Sequence, residues 1–292
     1  GIVASFAPAS GSGTGKLVAW VRIPTLKYNA DTIIYMYYGN PGITSSTANP
    51  TGVWDTSYGW RGVWHLADTS GNTRDSTSYG TNGVVSGTIT RGVTGKIGNA
   101  FDSYTNGSVN MGDPVDGHLD FATGSMTVSA WLNIDAAVQA GAYPQPVWKG
   151  NQSGGTGYAL AYNDDANQHY FLIMVAGTYW VSPMAGFTED TWNHVVGVVD
   201  RANNRLRFYM NGAQVSAPGT DIAGVGSISN SYNLAIGADG GWGWFDGVID
   251  EVRISGVARD ACWIGTEYAN QVPGSTSISV EGQENLLDFK YR

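Results

Sequence analysis

Turn-punctuated apolar segments constrain this chain more than any other feature. From Val53 to Ser255 such segments return roughly every ten to fifteen residues, the rhythm of strands in an all-β sandwich or barrel. They include "GVWHLA", "MTVSAWLNI", "YALAYN", "HYFLIMVA", "WNHVVGVVD", "NLAIGA" and "GVIDEVRIS". The breaks between them are rich in Gly, Asn, Ser and Thr, residues that form turns through αL geometry or short side-chain hydrogen bonds. "DRANNRLRFYMNGAQV" reads as a hairpin followed by a tight turn at Asn211-Gly212. Only "ARDACWIGTEYANQ" is helix-like, with Ala261, Ile264 and Tyr268 at helical spacing. The fold class expected is therefore all-β, an antiparallel two-sheet sandwich.

Residues 16–38 read as a small β extension at the N-terminus. Its first strand places Leu17, Ala19, Val21 and Ile23 on one face, and its second is "TIIYMYYG". A Pro/Gly/Ser/Thr/Asn connector over residues 40–52 marks a boundary. The expected organisation is a partial β domain over 1–52, a sandwich over 53–272 and a tail over 273–292.

Composition excludes several functions. Net charge is −9 and only 15 Lys and Arg are scattered along the chain, so no basic face for nucleic acid is expected. No apolar run approaches the ~18 residues of a membrane-spanning helix. One cysteine, Cys262, rules out an intrachain disulfide. Charged residues make up 13 % of the chain, against 41 Gly, 11 Trp and 16 Tyr. Such a low-charge, acidic, aromatic surface suits an extracellular or cell-surface protein.

Sugar binding needs exposed aromatic faces with Asn, Asp and Gln beside them. Trp242 and Trp244, in the Gly-rich "DGGWGW" stretch, are the leading candidates, followed by Tyr179 and Trp180, and by Tyr158 with Asn163. Trp131, Trp192 and His194 are assigned to the core. For a metal, "ADTSGNTRDS" offers Asp68, Asn72 and Asp75 in one loop, the oxygen-rich mixture Ca²⁺ takes. "YNDDANQ", with Asp164 and Asp165, is the second such loop. Asx turns within these loops explain the same residues equally well. "GSGTGK" at residues 11–16 lacks the spacing of a phosphate loop.

"TVSAWLNI", "EDTWNHVVGVVDRANNRLRFYMNGAQV" and "LAIGADGGWGWFDGVIDEVRIS" together resemble the concanavalin A-like lectin/glucanase superfamily, in its laminin-G-like and pentraxin-like branch. The likeness spans roughly residues 60–270 and implies a jelly-roll sandwich. Residues 16–55, with "LVAWVRIPTL" and "IYMYYGNP", resemble the C-terminal half of a domain of unknown function that precedes lectin-like modules in microbial surface proteins. The ending "NLLDFKYR" resembles that domain's opening, so the chain reads as part of a longer array or as a subunit completed by a neighbour's strand.

The resemblance implies calcium at a sandwich edge and glycan-binding loops, with a polysaccharide or glycoprotein glycan as partner. Catalysis on this fold needs two carboxyls about 5 Å apart for a retaining glycosidase. Its laminarinase relatives supply them with E-x-D-x-x-E or E-x-D-x-E, and neither occurs here. Asp246, Asp250 and Glu251 have other spacing, and in a regular strand Asp250 and Glu251 face opposite ways. The resemblance gives this aspartate a structural task, tying the last strand to loops. The expectation is a non-catalytic adhesion or carbohydrate-binding module. The alternatives are a structural subunit assembled by strand exchange and a glycoside hydrolase or lyase.

Overall fold

The computed structural model describes residues 2–6, 15–25, 29–37, 40–103, 106–135, 143–151, 155–237 and 244–272. An N-terminal hairpin pairs β1 (Ile2–Phe6) with β2 (Gly15–Ala19), and one helical turn, α1 (Pro50–Val53), comes next. The sandwich begins with β3 (Trp60–Trp64), β4 (Val84–Ser86), β5 (Ile89–Thr94), β6 (Asn99–Ser103), β7 (Ser108–Gly112) and β8 (Met126–Ile134). It continues with β9 (Val147–Lys149), β10 (Gly157–Asn163), β11 (Gln168–Val175), β12 (Thr178–Val181), β13 (Ala185–Gly186) and β14 (Trp192–Asp200). It closes with β15 (Arg205–Met210), β16 (Ala213–Gln214), β17 (Thr220–Asp221), β18 (Leu234–Ile236), β19 (Gly247–Ser255) and the helix α2 (Ala261–Ala269).

Two antiparallel sheets result. One runs β12-β11-β10-β9-β18-β7-β4, with β13 beside β11. The other runs β16-β15-β14-β8-β19-β6-β5, with β17 beside β15 and β3 beside β19. Alternation decides what lies between them. Tyr158, Leu160 and Tyr162 of β10 and Phe171 and Ile173 of β11 face inward, against Val128, Ala130 and Leu132 of β8 and Val195 and Val199 of β14. Gly197 in "HVVGVVD" faces the same way, and a Cβ there would meet the Phe171 ring at 2.1 Å. The bare backbone gives the opposing ring its place.

The hairpin read from sequence forms as expected. Met210 pairs with Ala213 around Asn211 and Gly212, whose φ values of 50° and 81° give the turn its primed geometry. The helix α2 also forms, with Asp260 accepting from Trp263 N at 2.8 Å as N-cap. It lies on the outside of the second sheet. There Ile264 is buried against Val196, Val198 and Tyr209, while Ala261 is exposed.

The N-terminal reading needs correction. "TIIYMYYG" forms no strand over residues 31–37, and Ile33 and Tyr37 are both 72 % exposed. β-propensity needs a surface to pack on, and the described residues give this segment none for those side chains. The first strand is shorter than expected and stops at Ala19, leaving Val21 exposed. Immediately after this strand, Trp20 docks on the sandwich. It packs on Trp54 (5.4 Å between ring centres) and on His65 (5.4 Å), and Trp54 packs on Trp60 (5.1 Å).

Candidate functional site at one rim of the sandwich

Several strands deliver polar residues to one end of the sandwich. β8 leaves the second sheet at Ile134, and Gly247 at the start of β19 pairs with both Ile134 and Ser103. One position inward, Trp192, Asn133, Val248, Asp102 and Thr90 form a single row across the strands. Their neighbours Leu132, Ile134, Ile249 and Phe101 face the core, so the row faces outward and remains partly exposed. Asp135 and Asp246 sit at its edge, where Asp135 N donates to Asp246 O at 3.3 Å. Trp244, 36 % exposed, precedes Asp246 by two residues. From the other sheet, Asn163 ends β10 at the same rim.

The charges at this rim repel one another. Partial burial first, and Asp135 second, lift the Asp102 carboxyl above its ordinary range. Asp246 is raised by burial, then by Asp135 and Asp102. The Tyr162 hydroxyl, deep under the rim, is pushed far up by burial and then by the charges of Asp164 and Asp246. Asn133 Oδ1, Asn163 Oδ1 and Asp246 Oδ1 are buried acceptors with no donor among the described residues. Unmatched buried acceptors are costly, so this rim suits a ligand rich in hydroxyl donors.

The structure divides the residues expected to bind sugar. Trp244 and Asn163 reach the same rim through their chain neighbours Phe245 and Tyr162, whose ring centres lie 6.1 Å apart, and Trp242 lies outside the described residues. Tyr179 is 37 % exposed and pairs with Met174 near the opposite end, while Trp180 turns inward and packs against the core. Tyr158 is a correction. It is fully buried, its hydroxyl donates to Leu119 O at 3.2 Å, and it offers no face for stacking. Inward alternation along β10 dictates this. Trp131 is core as expected, but Trp192 is only half-buried. His194 is buried between Trp131 (5.0 Å) and Tyr268 (6.1 Å). Sequence reasoning missed Asp102, Asp135, Asn133 and Trp192 as rim residues, because cross-strand register alone assembles them.

In the loop expected to hold calcium, both carboxylates have protein partners. Asp68 pairs with Arg74 Nε at 2.7 Å and accepts Arg74 N at 2.9 Å. Asp75 accepts Val63 N, Thr77 N, Thr77 Oγ1 and Thr81 N between 2.8 and 3.1 Å. Asn72 lines a shallow surface depression with Asp68, Thr69 and Arg74. Among the described residues, no three His, Cys, Asp or Glu side chains converge to hold a metal ion.

Asp250 and Glu251, the carboxylates weighed for catalysis, are both buried in structure. A β-bulge between Asp250 and Arg253, with Glu251 at φ 53°, breaks the alternation expected of a regular strand. The two groups consequently feel each other. Asp250 accepts Ile97 N at 2.8 Å, and Glu251 accepts from His65 and Arg253. Both are shielded from solvent, Asp250 wholly and Glu251 almost so.

The folded chain is a lectin-like β-sandwich. It belongs to the concanavalin A-like lectin/glucanases superfamily, whose family model matches residues 104–265. A domain of unknown function (DUF2341) matches residues 8–82. No curated protein matches the chain. Among solved structures it is similar to the binding domain of paraclostridial mosquitocidal protein 1 (13 % identity, TM-score 0.59, 74 % of this chain and 53 % of that one). It is also similar to the botulinum neurotoxin serotype D ligand-binding domain in complex with N-acetylneuraminic acid (13 %, 0.56, 73 % and 51 %). A third is domain 4 of AbnA, a GH43 extracellular arabinanase from Geobacillus stearothermophilus, in complex with arabinotriose (17 %, 0.51, 71 % and 97 %). At these identities the likeness is one of fold. The chain spans about half the length of the toxin domains it matches. Among the described residues, no helix is long and apolar enough to cross a membrane.

Proposed function

We propose that this chain is a non-catalytic carbohydrate-binding module acting in adhesion at a microbial cell surface, and that the Trp244 rim takes the glycan. The observation that carries the reading is an exposed Trp244 two residues before Asp246, whose carboxyl feels Asp135 and Asp102, at the rim where Asn133 and Asn163 leave acceptors unmatched. An aromatic face stacks on the apolar side of a sugar ring while acceptors take its hydroxyls, and a rigid sheet fixes both. The sugars seen in AbnA domain 4 and in the toxin domain support this reading by fold. Burial of Asp250 and Glu251 supports a module without turnover. A panel of arabino-oligosaccharides, sialylated glycans and bacterial polysaccharides tests it. Binding without hydrolysis is expected, and silence across the panel contradicts the reading.

A second reading, a structural subunit that self-assembles, rests on the exposed Ile33, Ile34, Met36 and Tyr37. It expects association with rising concentration that Ile33→Ser with Tyr37→Ser weakens. A monomer at every concentration argues against it.

A further inference from the structure

At the end of the sandwich away from Trp244, Lys149 closes β9. Its side chain is fully buried. An ammonium has three N–H donors, yet five oxygens surround this one. Asp113 Oδ1 lies at 2.8 Å, Tyr232 O at 2.9 Å, Asp120 Oδ1 and Asn230 O at 3.0 Å, and Asn230 Oδ1 at 3.4 Å. Acceptors outnumber donors, and the two carboxylates outweigh the single ammonium. Two carboxylates, two backbone carbonyls and an amide oxygen are the donor set of a hard divalent cation.

The shell is held by bonds that do not involve the lysine. Asn230 N donates to Asp120 Oδ1 at 3.2 Å, and Tyr232 N donates to Asn230 Oδ1 at 2.9 Å. Strand pairing fixes Lys149 between Tyr158 of β10 and Leu234 of β18. The Asp113 and Asp120 side chains are 27 % and 21 % exposed, so the shell opens to solvent on that side.

The geometry points to a built cation site, formed by Asp113, Asp120, Asn230 and Tyr232, whose occupant in this chain is its own Lys149 ammonium. By this device the chain ties the β7–β8 loop and the β17–β18 loop to the end of β9 without recruiting an ion. With the ammonium removed, the same oxygens take Ca²⁺. This site is independent of the glycan rim, and its test does not depend on glycan binding.

The test is the full chain carrying Lys149→Ala, melted in millimolar CaCl₂, in MgCl₂ and in EDTA. Without an ion, two partly buried carboxylates are left without their shared cation and the variant melts well below the parent. Ca²⁺ raises its melting temperature by several degrees and Mg²⁺ by less. Calorimetry with CaCl₂ shows one site absent from the parent, and adding Asp113→Asn removes it. Identical melting in Ca²⁺ and EDTA overturns the proposal, as does a Ca²⁺ response that survives Asp113→Asn. If Lys149→Ala unfolds in EDTA, refolding from urea decides. Recovery only with Ca²⁺ supports the site, and no recovery in either buffer overturns it.

Discussion

Asp250 accepts the backbone N–H of Ile97 at 2.8 Å, joining the last strand to a loop 153 residues earlier in sequence. The second carboxylate oxygen has no hydrogen-bond partner among the described residues, and the residue is fully buried. This is a structural clamp, the task that the family resemblance gave this aspartate.

That clamp carries a pH signature. Burial first, then the charge of Glu251, holds the Asp250 carboxyl well above its ordinary value of 3.8. A raised carboxyl pKa means that ionisation favours the unfolded chain, so this residue opposes folding increasingly as pH rises past 3.8. Asp250→Asn keeps an acceptor without the charge and is expected to stay within about 1 kcal/mol of the parent at pH 7. Asp250→Ala, which strands the Ile97 N–H, costs about 1–3 kcal/mol. Urea unfolding measures both, and a strongly destabilised Asp250→Asn contradicts the assignment.

Two buried imidazoles set the acid limit. Burial lowers His169 from 6.5 to about 3 and His194 from 6.5 to about 4. For His194, Glu267 opposes that shift, while Arg253 and Lys96 reinforce it. A depressed pKa contributes stability that is complete above 6.5 and lost as pH falls through 4 toward 3. At about 1.4 kcal/mol per unit, the two contribute on the order of 3–5 kcal/mol each, His169 the more. His169 packs on Phe187 at 4.5 Å, so His169→Phe is expected to shift the acid-unfolding midpoint downward. Unfolding free energies measured from about pH 8 to 4 check this, and an unchanged pH slope contradicts it.

Arg253 binds both Glu251 and Glu267, so it ties β19 to α2, and its guanidinium also lies 4.4 Å from the Trp20 ring centre. Removing it takes Glu267's guanidinium partner away and leaves the buried Glu251 with His65 alone. Arg253→Ala is expected to cost about 3–5 kcal/mol and to expose α2 to hydrogen exchange. A loss under about 1 kcal/mol would show that solvent replaces the pair.

Calcium at the Asp68, Asn72 and Asp75 loop is a proposal that the loop's own bonds oppose, since an ion there displaces Arg74 from Asp68. Binding is expected at about 10⁻³ M or weaker, the weak limit for extracellular modules. A micromolar Kd lost in Asp68→Asn would contradict this.

The sandwich was legible because alternation and turn chemistry agree along it: β14, β15 and the Asn211-Gly212 turn fall where the residues place them. The N-terminal segment was not. Ile33 and Tyr37 have strand propensity, but propensity does not say what will cover a strand. At the rim, Trp244 and Asn163 were readable as an exposed aromatic and a nearby amide. Asp102, Asp135 and Asn133 were not, because residues so far apart share a site only through register. The bulge at Glu251 was equally hidden, having no glycine or proline to mark it.

The most direct test of the central claim is calorimetric titration of the parent, Trp244→Ala and Asp102→Asn with whichever glycan binds in the panel. The glycan rim predicts at least about a tenfold weaker Kd for Trp244→Ala, the equivalent of about 1.4 kcal/mol, with a smaller loss for Asp102→Asn and melting temperatures unchanged. Undiminished affinity in both variants would place the glycan elsewhere and contradict the account.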